Sequence, residues 1–71
     1  MANRAYTTRA QTALRLAESS AATLGDDFIG TEHLLIGLLE EKTGPAAQIL
    51  SRLGVTTDEV REILREARSK R

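Results

Sequence analysis

Apolar positions along this chain fall into four groups, each set off by a glycine or a capping residue. In the first, Ala10, Ala13, Leu14, Ala17, Ala21 and Leu24 share one face of a helix. Thr7 suits the N-cap and Gly25 a left-handed stop, so the spacing predicts a helix entered at Thr7 and running to Leu24. Most of its stripe is alanine, which lets a neighbouring helix come close. The second group, "LLIGLL" at residues 34–39, sets large aliphatic residues at every position but Gly37. A helix with so little polar face is expected at the centre of the fold. Thr31 reads as its N-cap and Glu32 to about Glu41 as its span. Gly37 costs about 1 kcal/mol relative to alanine, and a close helix crossing is the simplest reason to accept that cost.

The third group lies in "KTGPAAQILSRLG". Pro45 suits a first turn, where the amide it lacks would have no partner. Ala46, Ile49, Leu50 and Leu53 are predicted to be its buried stripe, and Gly54 its stop. Thr56 and Glu59 form a T-x-x-E capping box that opens a fourth helix. Val60, Ile63, Leu64 and Ala67 make its apolar face. Asp58 with Arg61, and Glu62 with Arg65, read as i, i+3 pairs on the wet side. Between the first two helices, "GDDFIG" carries Phe28 and Ile29, which are expected to tuck back into the core. The tail "ARSKR" complements the helix dipole and is expected to fray. The fold class is all-α: a compact bundle of four short helices, one domain over residues 1–71 with no internal repeat and no linker.

The chain has 71 residues. A domain this small buries only about 60% of the surface its unfolded chain exposes, so the core is thin. There is no cysteine and one histidine, which leaves no thiolate metal site and no all-protein zinc set. Ten basic residues against ten acidic ones argue against nucleic-acid binding by bulk electrostatics. Short helices with tight turns can mimic a helix-turn-helix, but the acidic first turns of the second and fourth helices oppose that reading. No apolar run is long enough for a membrane span, and "MANRAYTTRAQ" has no hydrophobic signal region. The expectation is a soluble cytoplasmic protein without metal or cofactor. An enzyme is not expected, because the histidine has no nucleophile partner at motif spacing.

The segment "GTEH", residues 30–33, admits two readings. In one it is only a helix start: Thr31 caps, Glu32 is favoured by the helix dipole, and His33 hydrogen-bonds nearby. In the other it is a site. A helix N-terminus offers free N–H groups that suit a phosphate, and a partly exposed carboxylate can hold a guanidinium bidentately. Phosphoarginine carries both groups.

The segments "YTTRAQTALRLAESSAATLG", "FIGTEHLLIGLLEE" and "GPAAQILSRLGV", followed by the capped last helix, closely resemble a Clp repeat. This is the building block of the N-terminal domain of ClpC/ClpA-type AAA+ unfoldases. That domain has two such repeats packed about a pseudo-two-fold axis, whereas this chain has one. It also has no G-x-x-x-x-G-K-S/T loop. The resemblance implies a protein- or peptide-binding module of the Clp protease system. Its partners would be marked substrates, adaptors or a Clp ATPase, and cyclic peptide antibiotics directed at such domains. It implies phosphoarginine recognition by Glu32 with Thr31. The start of the first helix, Tyr6, Thr7 and Thr8, would be a second N-terminus near the phosphate. Arg9 is read as a solvated residue and His33 as structural.

A lone repeat is expected to expose the surface its twin covers, and a homodimer is the simplest repair. Two other roles stay open: a decoy regulator of a Clp unfoldase, and a structural half-domain, excised or engineered, with no ligand chemistry of its own.

Overall fold

The computed structural model describes residues 4–69. It contains four helices, α1 (Thr8–Thr23), α2 (Thr31–Glu41), α3 (Pro45–Arg52) and α4 (Thr57–Ser69). Lys70 and Arg71, the end of the basic tail, lie outside the described residues, as do the first three residues of the N-terminal segment.

The punctuation explains most helix ends. Thr7 is extended, and its Oγ1 accepts the N–H of Ala10 at 3.1 Å, which satisfies one of the orphan donors of α1. Gly25 takes φ 77°. It lets Asp26 N–H reach back to the carbonyl of Ala21 at 2.9 Å, closing the helix in a Schellman motif. Gly54, at φ 79°, does the same for α3, with Val55 N–H on the Leu50 carbonyl at 2.9 Å. Thr56 caps α4 by accepting Glu59 N–H at 3.2 Å, and its hydroxyl donates to Glu59 Oε1 at 2.9 Å.

The start of α2 differs from the expectation. Gly30, not Thr31, is the N-cap, and Thr31 is already helical with no capping bond from its side chain. The third helical residue supplies the bond instead: His33 Nδ1 accepts the N–H of Gly30 at 2.7 Å. A glutamate at that position often makes this bond; here an imidazole does.

α2 is the hub. α1, α3 and α4 each pack on it, and among the described residues no other pair of helices approaches as closely. α1 and α2 run antiparallel, crossing where Gly37 meets Ala13 and Ala17. A β-carbon on Gly37 would collide with the carbonyl of Ala13 and lie 3.0 Å from the amide of Ala17. The glycine is therefore the condition for the closest approach in the fold. The core follows from it: Ala13, Ala17, Ala21, Ile36, Leu39 and Ala47 are buried, and Ile36 and His33 are the largest side chains fully enclosed.

Several expected core residues stay outside. Ile49 is 59%, Leu53 72% and Ile63 66% exposed. α3 and α4 have only α2 to pack on, and one small contact suffices for each. Ala47 is the buried residue of α3, while α4 leans on α2 through half-buried Val60 and Leu64. Ala67 is exposed. The apolar stripes are wider than the surface α2 can offer. Leu14 and Leu24 are likewise exposed at the edges of the α1 stripe. Phe28 and Ile29 remain half-exposed in the loop. The space beneath them is filled by His33, whose ring meets Phe28 edge-on with centroids 5.5 Å apart.

Two surface expectations divide. Glu62 and Arg65 pair at 2.8 Å. Arg61 pairs with Glu40 of α2 instead of Asp58, because α4 docks with Arg61 facing that half-buried carboxylate. The helix also does not fray at Arg68, which is tied to the α1–α2 loop.

Candidate functional site

The start of α2 joins three parts of the chain. Gly30 arrives in an extended conformation and its amide points at His33 Nδ1. A backbone amide can only donate, so this ring nitrogen holds a lone pair and the imidazole hydrogen sits on Nε2. Nε2 in turn donates to Asp26 Oδ2 at 2.7 Å. The Asp26 carboxylate, 11% exposed, is also forked by the guanidinium of Arg68, with Nη1 to Oδ1 at 3.0 Å and Nη2 on Oδ2. The arginine bonds, with help from His33, outweigh the burial and lower the Asp26 pKa from 3.8 to about 2. The same pairing raises Arg68 further above its ordinary value. Its Nε, however, is enclosed and has no acceptor among the described residues.

On this frame sits Glu32, partly exposed. Its carboxylate folds back over the bare α-carbon of Gly30, where any β-carbon would collide with it. Among the described residues it makes no hydrogen bond, although its charge adds to the stabilisation of Arg68. The N–H groups of Thr31 and Glu32 also find no acceptor there, as the first turn of a helix leads one to expect. A carboxylate with free lone pairs beside two open amides can receive a cation and an anion side by side.

The other sequence-derived candidates lie elsewhere. Tyr6, Thr7 and Thr8 are exposed at the start of α1. In the antiparallel pair, this is the end of α2 where it turns into α3. α2 has 11 residues, so about 16 Å of helix separates the two starts. Thr7 Oγ1 is taken by its cap. Glu41 stands at this end, bonded by Thr43 Oγ1 and by Gly44 N–H at 2.7 Å, and these bonds lower its pKa. Arg9 adds to that effect by charge. One chain thus brings Thr31 and Glu32 together and keeps Tyr6, Thr7 and Thr8 apart from them.

Asp26 and Arg68 were not legible as part of the site. They are 42 residues apart, and nothing in their spacing announces the pair. A groove of about 340 Å³ between α1, α2 and α4, with Leu24, Ile36 and Leu64 among its walls and Arg61, Arg65 and Arg68 beside them, was equally hidden. Among the described residues there is no cluster of three or more potential metal ligands. No described helix is long and apolar enough to cross a membrane.

Such a bundle, three helices packed on one central helix, defines a class by its fold. The match to known families makes this specific. Residues 5–70 match the Clp repeat (R) N-terminal domain, and the chain belongs to that family. It is 42% identical over 57 residues to the chaperone protein ClpB of Oceanobacillus iheyensis, an alignment covering 80% of this chain and 7% of that protein. The same figures hold for the negative regulator of genetic competence ClpC/MecB of Bacillus subtilis. The chloroplastic chaperone protein ClpC of Pisum sativum is 45% identical over 56 residues, covering 79% of this chain and 6% of its own. The chain therefore spans less than a tenth of the length of these relatives. It is a module of the Clp system, of a kind that is itself non-catalytic.

Proposed function

We propose that this chain recognises arginine-phosphate groups on proteins marked for the Clp system, and that the start of α2 is the receptor. Glu32 holds the guanidinium part, and the open amides of Thr31 and Glu32 take the phosphate. The observation that carries this reading is a partly exposed carboxylate, free of hydrogen bonds among the described residues, beside two amides without acceptors. Phe28 and Ile29, half-exposed just ahead of it, offer an apolar ledge to the rest of a substrate, an adaptor or a cyclic peptide antibiotic.

Calorimetric titration with free phosphoarginine, with arginine and inorganic phosphate as controls, tests the reading. Saturable binding of phosphoarginine alone is the expected result. Glu32→Ala should weaken it by about tenfold to a hundredfold, the loss of a charge-assisted pair worth ~1.5–3 kcal/mol, with helix content unchanged. Heat without saturation, or equal binding by Glu32→Ala, would refute the assignment; a decoy or purely structural half-domain would then be the better account.

The same proposal includes a homodimer. Ile49, Leu53 and Ile63 are more than half exposed, and a second chain about a two-fold axis covers such surfaces twice over. Tyr6, Thr7 and Thr8 can join a Glu32 site only from that second chain. A light-scattering mass that stays monomeric across a dilution series would exclude the dimer.

A further inference from the structure

The tie between α4 and the start of α2 passes through three side chains, and its chemistry is directional. Arg68 bonds both oxygens of Asp26. Asp26 accepts the Nε2–H of His33, and His33 Nδ1 accepts the Gly30 amide. Gly30 carries the carbonyl that takes His33 N–H at 3.1 Å and Leu34 N–H at 3.2 Å, and its α-carbon is the seat of the Glu32 carboxylate. The orientation of Glu32 therefore rests on an imidazole that must keep Nδ1 unprotonated.

We infer that Arg68, at the far end of α4, is a positioning residue for the Glu32 site: by clamping Asp26 it fixes the carboxylate that receives the His33 Nε2–H, and so keeps Gly30 in the place that sets Glu32. The charged groups around His33 come from three elements: Asp26 from the loop, Arg68 from α4 and Glu32 from α2 itself; Phe28 covers the ring with an uncharged edge. Without Arg68, Asp26 is a nearly enclosed carboxylate whose one remaining partner among the described residues is His33. An unclamped carboxylate is free to turn away from the ring, and the imidazole then loses the acceptor that fixes its orientation and tautomer. With Nε2 unanchored, the ring can turn or carry its hydrogen on Nδ1 instead, so Nδ1 no longer accepts from the Gly30 amide and the bond that closes the start of α2 is lost. Arg68 also carries a charge near Glu32, but both its Nη groups are committed to Asp26, and the Glu32 influence on it is the smallest. Positioning therefore outweighs competition with a bound guanidinium.

The arrangement couples two events. None of the described side chains of α4 is fully buried, so it can lift from α2 without emptying the core, and lifting it withdraws Arg68. Docking of α4 favours the ordered Glu32 site, and by reciprocity a ligand on Glu32 favours docking of α4.

The inference rests on the proposed role of Glu32 in ligand binding, but its structural half is measured separately. The experiment compares the 15N spectra of the wild type, Arg68→Gln, Arg68→Lys and Arg65→Gln at neutral pH, with helix content followed by circular dichroism. Arg65 lies on the same helix but pairs with exposed Glu62, so it serves as the control. In the wild type and in Arg65→Gln, the His33 ring nitrogens should be widely split, as for a fixed Nε2–H tautomer. In Arg68→Gln the splitting should narrow, as for a ring released from one tautomer, and the Gly30 and Glu32 amides should shift with it. Arg68→Lys, which keeps the charge but not the fork, should fall between. Phosphoarginine should bind Arg68→Gln at least about fivefold more weakly, the lower end of ordinary coupling. Unchanged His33, Gly30 and Glu32 signals in Arg68→Gln would overturn the inference, as would equal or tighter phosphoarginine binding. If phosphoarginine saturates none of the four proteins, the functional reading fails, and the positioning role stands or falls on the His33 and Glu32 signals.

Discussion

At the residue scale, His33 is neither ligand nor bystander. It fills the core beside Ile36, caps α2 and anchors Asp26 with its two nitrogens. The histidine was assigned to structure from the sequence, and its bond at the helix start was legible because an i, i+3 return is local. The partner Asp26 and the clamp Arg68 were not, because only the docked α4 brings them near. The lowered pKa of Asp26 gives a pH prediction. A carboxyl held at about 2 when folded and 3.8 otherwise stabilises the fold above pH 3.8, and that contribution fades as the pH falls from there toward 2. Thermal unfolding measured from pH 5 to 2 should show the wild type losing midpoint through this window. Glu41, also lowered, acts in the same direction, so the Asp26 share is the difference between the wild type and Asp26→Asn, whose curve should be flatter. Parallel curves for the two proteins would mean that the pair contributes nothing in solution.

At the element scale, the α1–α2 crossing decides the fold. The alanines of α1 and Gly37 of α2 announced a close approach, and the structure puts them face to face. Gly37→Ala gains about 1 kcal/mol of helix propensity but forces a methyl against the Ala13 carbonyl, a backbone atom that cannot swing aside. Overpacking costs roughly 1–3 kcal/mol, so the net effect should be a lower unfolding midpoint, read by circular dichroism. A midpoint equal to or above that of the wild type would mean that the helices separate freely and the crossing is loose. The misassignment of the α2 cap has a local cause. Thr31 has the chemistry of a cap, but the chain turns helical one residue earlier because His33 already serves the Gly30 amide. Cap preference alone does not choose between adjacent residues.

At the scale of the whole molecule, the chain measures 43 × 30 × 20 Å, only about two helix diameters in its thin direction. Among the described residues α1, α3 and α4 all pack on α2, and the outer faces of α3 and α4 have no described helix opposite them. The proposed dimer belongs to this scale. Ile63→Glu, placing a charge at a 66% exposed position, should leave the fold of a single chain intact and shift a concentration-dependent mass toward the monomer. A mass unaffected by the substitution would place the interface elsewhere. What the sequence by itself determined was local: four helices, their stops at Gly25 and Gly54, the caps at Thr7 and Thr56, and the central place of α2. These depend on propensity, capping and periodicity, which act over a few residues. Tertiary structure alone decided which half of each apolar stripe is covered, that Arg61 meets Glu40 and Arg68 meets Asp26, and that the two candidate helix starts lie at opposite ends. The physical reason is that periodicity shows a helix has an apolar face, while burial depends on how much partner surface reaches that face, and here one helix serves three.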